Sequence, residues 1–142
     1  MISQSVLRRI RVSVSVLMAS FGFTTVGSAQ EATRFAMTCI GTEVGSAINF
    51  SYRWGTTGSW ENVSVEPDKW SILTWRYSRP NENQSPVLSI RYDADFTSGT
   101  RYVVESLESY ASPIDKNCEA YGKTYNFYTD NSGNQLLLVP ED

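Results

Sequence analysis

The chain has 142 residues, two cysteines, no histidine and a formal charge of −3. Lack of histidine excludes Ser-His-Asp and Cys-His catalysis, histidine-ligated zinc and haem, and imidazole proton shuttles. Carboxylate, lysine, tyrosine and serine chemistry remains.

Residues 1–29 carry Arg8, Arg9 and Arg11, then an apolar run from Val12 to Phe23, then Gly27, Ser28 and Ala29. That order predicts a secretory signal peptide cut after Ala29. The run of 12 residues, interrupted by serines, is short of the roughly 20 that cross a bilayer. No membrane span is expected in residues 30–142, which at 113 residues fit a single domain. They hold 15 acidic and 9 basic residues, a charge of −6, with no Lys/Arg block, which disfavours nucleic acid and anionic lipid as partners. The expected location is therefore periplasmic or extracellular. In an oxidising compartment the two cysteines are expected to pair as Cys39–Cys118.

From residue 33 onward, short β-type runs alternate with turn residues, and no window carries a sustained 3.6-residue apolar period. "TRFAMTCI" (33–40) comes first. "SAINFSYRW" (46–54) follows, with Ile48, Phe50, Tyr52 and Trp54 on one face and Asn49, Ser51 and Arg53 on the other. "WENVSVE" (60–66) returns as a hairpin partner. Pairing Tyr52 with Val63 and Phe50 with Val65 gathers the apolar set, sets Trp54 against Glu61, and leaves Trp60 in the loop, in a bulge or on the outer face. In "WSILTWRYS" (70–78), Leu73, Trp75 and Tyr77 form the more apolar face, and Trp70 shares the other with Ile72 and Thr74.

"VLSIRYD" (87–93) directs Leu88, Ile90 and Tyr92 inward, and "TRYVVESL" (100–107), "KTYNFYT" (123–129) and "QLLLV" (135–139) complete about eight strands. Pro113 and Gly122 make the segment between residues 108 and 122 mostly loop, with room for a short helical turn. The predicted fold is an all-β antiparallel sandwich or small barrel with one disulfide.

Two tryptophans bracket the small polar loop in "YRWGTTGSW" (52–60). Tyr52, Arg53, Trp54 and Trp60 form the candidate ligand-binding set, because flat amphipathic rings at a loop offer contact area at small entropic cost. The alternative for each ring is ordinary packing. In "DADFTSGT" (93–100), Asp93 and Asp95 are the residues nearest a calcium pattern. An EF-hand loop starting there needs Gly at 98 and Glu at 104, where Ser98 and Val104 stand, so a polar turn is expected and no metal or cofactor is assigned. Asp93, Asp95, Glu105 and Glu108 could supply a glycosidase pair in principle, but so small a domain has little material for a deep cleft, and no enzyme is expected. N-glycosylation sequons begin at Asn49, Asn62 and Asn83, the last followed by Pro86.

The pattern "YRWG…W", "SPVLSIRYDADFTSGTRY", Cys118 and "GKTYNFYTDNSG" resembles small exported bacterial β-proteins of unassigned function. "FAMTC" and "SGTRY" (98–102) are also similar to the start and the cleft-inserting loop of secreted inhibitors of C-type lysozyme, which are β-barrels. That similarity implies an inhibitory loop with Ser98, Gly99, Arg101 and Tyr102, although "ESLESYASP" stands where the family has a Trp-Trp-Lys-Gly stretch. The functional expectation is a non-enzymatic exported domain that binds a glycan or an extracytoplasmic protein. A lysozyme-type hydrolase inhibitor is the alternative.

Overall fold

The computed structural model describes residues 34–141, so the expected signal peptide at 1–29 lies outside the described residues. Nine strands follow in order: β1 (Phe35–Thr42), β2 (Ile48–Trp54), β3 (Glu61–Val65), β4 (Ser71–Arg76), β5 (Leu88–Asp93), β6 (Tyr102–Leu107), β7 (Tyr110–Ala111), β8 (Thr124–Thr129) and β9 (Leu136–Glu141). They form a sandwich of two sheets. One has the order β4-β1-β8-β9, with β7 also paired to β1, and the other has the order β3-β2-β5-β6.

The alternating apolar sets of the sequence meet between the sheets. Ile48 and Phe50 of β2, Leu88, Ile90 and Tyr92 of β5, Ile40 of β1, Leu73 of β4 and Phe127 of β8 share one core. Phe127 is fully buried, with its ring centroid 5.1 Å from Tyr92 and 5.7 Å from Phe50. Strand β1 departs from half-buried alternation because both its faces are covered. Its outward Met37 and Cys39 pack with Cys118, Phe35, Ile72 and Tyr121 in a second cluster. The Cys39–Cys118 disulfide holds the 112–123 segment over that face. Within residues 108–122, β7 and bends prevail, and the short helical turn forms as a single one, with Tyr121 N–H donating to Asn117 O at 3.0 Å.

All but one of the strand pairings are antiparallel; β1 and β8 run parallel, with Cys39 beside Thr124 and Thr42 beside Phe127. The long connection between these strands makes a parallel pairing possible, since such pairs need a crossover of a dozen residues or more. A bridge between Asp95 and Gln135, with Leu136 N–H donating to Ala94 O at 2.9 Å, ties the end of β5 to the start of β9. The two sheets are thus linked at that corner.

The β2–β3 register corrects the sequence expectation by two residues. Ile48 pairs with Val65, Phe50 with Val63 and Tyr52 with Glu61. A two-residue shift keeps every side chain on its expected face, since the side-chain period of a strand is two. The expected register would have set Ile48 opposite Pro67, which has no N–H to donate to a ladder. Pro67 instead enters the turn to β4, where Lys69 N–H donates to Glu66 O at 3.2 Å and Asp68 takes a φ of 62°.

Candidate binding face on the second sheet

The residues that do not enter the core present a continuous surface on the outer side of the β3-β2-β5-β6 sheet. Strand alternation directs Asn49, Ser51 and Arg53 outward from β2, Asn62 and Ser64 from β3, Ser89, Arg91 and Asp93 from β5, and Tyr102 and Val104 from β6. Ser51 lies beside Asn62 on one side and Arg91 on the other, and Ser51 Oγ donates to Asn62 Oδ1 at 2.6 Å. A groove of about 540 Å³ crosses all four strands, lined by side chains that include Asn49, Ser51, Asn62, Arg91, Asp93 and Tyr102.

Trp60 precedes β3, and the observed register carries it opposite Arg53, on this outer side. The guanidinium carbons of Arg53 and Arg91 lie 4.5 and 4.6 Å from its ring centroid. Arg91 also lies 5.8 Å from the centroid of Tyr102, which is 67% exposed. These are cation–π distances, so the two cations and two rings hold one another in place. Arg53 Nε is buried without a hydrogen-bond acceptor. Neither Arg53 nor Arg91 has a carboxylate within ion-pair distance among the described residues, whereas Lys69, Arg79 and Lys123 pair with Glu66, Glu82 and Glu108.

The four residues of the candidate set therefore divide. Arg53 and Trp60 belong to the outer face. Tyr52 and Trp54 point inward, partly buried against the main core, with the Trp54 ring 6.0 Å from that of Trp75. The Trp54 indole N–H is buried without an acceptor. Tyr52 donates its phenolic proton to Glu61 at 2.7 Å, and burial, reinforced by that carboxylate, pushes its pKa up to about 12. Trp70 sits on the outer side of the other sheet, packed against Gly41 and 38% exposed, so it shares no surface with Trp60.

The connection from β5 to β6 forms a compact loop braced by its own carboxylates. Asp93 Oδ1 accepts from the N–H groups of Asp95 (3.0 Å) and Arg101 (2.8 Å). Asp95 Oδ1 accepts from Thr97 N–H at 2.9 Å and from the Thr97 hydroxyl. Those bonds from Thr97 hold the Asp95 carboxyl below its usual range. Ser98, Gly99 and Arg101 are exposed in this loop, and Tyr102 opens β6 beside the groove. The Asp-x-Asp pattern thus encodes Asx turns, and among the described residues no group of three or more acidic or cysteine side chains is placed to hold a metal ion.

The four carboxylates considered for hydrolysis do not face a common cleft. Asp93 lines the groove. Glu105 lies on the inner side of β6, where it accepts from Tyr92 OH at 3.2 Å, and Glu108 is exposed and ion-paired with Lys123 at 3.0 Å.

Sequence reasoning missed Arg91 and the polar floor of Ser51 and Asn62. Period-two alternation marks each as outward. Their convergence depends on β5 lying beside β2, and strand order is not written in spacing.

No protein-family model matches the chain, and comparison with curated proteins and with solved structures returns no significant match.

Proposed function

We propose that the protein is an exported, non-enzymatic binding domain that engages a glycan or an extracytoplasmic protein on the outer face of the β3-β2-β5-β6 sheet. The observation that carries this reading is the pairing of Trp60 with Arg53 and Arg91 beside a groove of about 540 Å³. Aromatic rings and arginine are the side chains most enriched where proteins contact partners, and ones already held in place lose little freedom on binding. Export agrees with the leader-like residues 1–29, with the disulfide, and with the absence of a long apolar helix among the described residues.

Titration of the disulfide-bonded protein with cell-wall fragments and polysaccharides, followed by tryptophan fluorescence, tests this reading. A saturable change is expected, abolished in Trp60→Phe. A ligand-induced change that survives Trp60→Phe would place the site elsewhere.

One observation favours a second reading, inhibition of a lysozyme-type hydrolase. The 94–101 loop is braced by Asp93 and Asp95 while Ser98, Gly99 and Arg101 remain exposed, so it has the stiffness an inserting loop needs. A C-type lysozyme assay with a large molar excess of the protein decides it, and undiminished turnover rejects it.

A further inference from the structure

We infer that the groove on the β3-β2-β5-β6 sheet accepts a carboxylate-bearing polysaccharide. The inference rests on the binding face proposed above and names its ligand class.

Arg53 and Arg91 stand 4.5 and 4.6 Å from the Trp60 centroid and have no carboxylate partner among the described residues. Arg53 Nε is buried, but the terminal N–H fork of a guanidinium matches both oxygens of a carboxylate. Asp93 is the one acidic side chain among the residues lining the groove, and Arg53 and Arg91 at Trp60 set two cations against its single negative charge. The overall negative charge opposes approach from a distance, but that opposition is screened beyond about 10 Å at 0.1 M salt.

The shape of the face selects a sugar chain over an acidic peptide. Peptides commonly add to a sheet edge, where backbone N–H and C=O groups are free. This groove instead lies across the face of the sheet, over all four strands rather than along one edge, and its floor offers side-chain hydroxyls and amides from Ser51, Asn62 and Asn49. Exposed Tyr102 supplies a ring for the apolar face of a pyranose, while Trp60 holds the two guanidinium groups beside it.

The test is a fluorescence titration of the disulfide-bonded protein, produced in a host that does not N-glycosylate, with polygalacturonate, alginate and hyaluronan, each beside its carboxyl-reduced form. At least one acidic polymer is expected to bind saturably and more weakly as salt rises. Its carboxyl-reduced form is expected to bind at least tenfold more weakly, as is Arg91→Gln with the acidic polymer. If Arg91→Gln fails to fold, as judged by circular dichroism, Arg53→Gln serves in its place. Equal binding of a carboxyl-reduced polymer, lost in Trp60→Ala, would overturn the ligand class while leaving the binding face intact. Equal binding of polyglutamate, or no binding by any of the three acidic polymers, would also overturn the inference; a Trp60-dependent response to another cell-wall fragment would still sustain the broader reading.

Discussion

At the scale of single residues, the two outer faces of the sandwich each carry one prominent tryptophan held in a different way. Trp60 is stacked with arginines, whereas Trp70 rests against a glycine. A Cβ at Gly41 would collide with Asn126 Oδ1 and lie 2.9 Å from the Trp70 ring. Gly41→Ala is therefore expected to destabilise the fold by about 1–3 kcal/mol, the usual cost of forcing an extra carbon into packed surroundings. Chemical denaturation checks this, and an unchanged midpoint would show that Trp70 and Asn126 move aside freely. The sequence marked Trp60 as out of phase with the core, which agrees with its place on the outer face; Trp75, expected in the core, is only half-buried against Trp54 and belongs to neither core cluster. Tyr52 and Trp54 were less legible as site residues, because a short motif gathers neighbours in sequence whose side chains leave a strand on opposite faces.

At the scale of elements, the strands themselves were legible because apolar and polar residues alternate in the sequences of β2 and β5, and the burial of β5 follows that alternation. Strand β7 escaped notice because two residues carry no period. The β2–β3 register required weighing Pro67 against the apolar pattern, and the parallel β1–β8 pairing follows from long-range topology that spacing does not encode. Each of three antiparallel pairs is also joined by a tyrosine–glutamate contact: Tyr52 with Glu61, Tyr92 with Glu105, and Tyr128 with Glu141. Burial chiefly raises Tyr52 and Tyr92, and the bond to Glu141 chiefly raises Tyr128, each to about 12. A free phenol ionises near 10, so the folded state holds these protons more tightly than the unfolded chain. Their stabilising contribution is thus complete below pH 10 and is lost as pH rises through the interval from about 10 to about 12. A phenolate absorbance titration should show these three tyrosines ionising late, with stability falling in that interval. Ionisation of every tyrosine near 10 with no loss of stability would contradict the contacts.

At the scale of the whole molecule, Cys39–Cys118 was legible from cysteine count and an expected oxidising compartment, and the bond is present. It spans a sequence separation of 79 and secures the loop that covers the outer face of β1. Replacing both cysteines with serine is expected to cost about 2–5 kcal/mol, typical for a native disulfide in a small domain. Denaturant unfolding measures that cost, and an unchanged midpoint would mean that the second cluster holds without its covalent tie. The groove was the least legible feature, since it assembles residues from four strands whose order across the sheet only folding reveals. The most direct test of the account is therefore spatial: backbone amide shifts of the disulfide-bonded protein recorded during titration with polygalacturonate. Saturable shifts are expected on β2, β3, β5 and β6 around Ser51, Asn62, Arg91 and Tyr102, together with the Trp60 indole. Shifts confined to the 94–101 loop or to the Trp70 face would contradict this expectation.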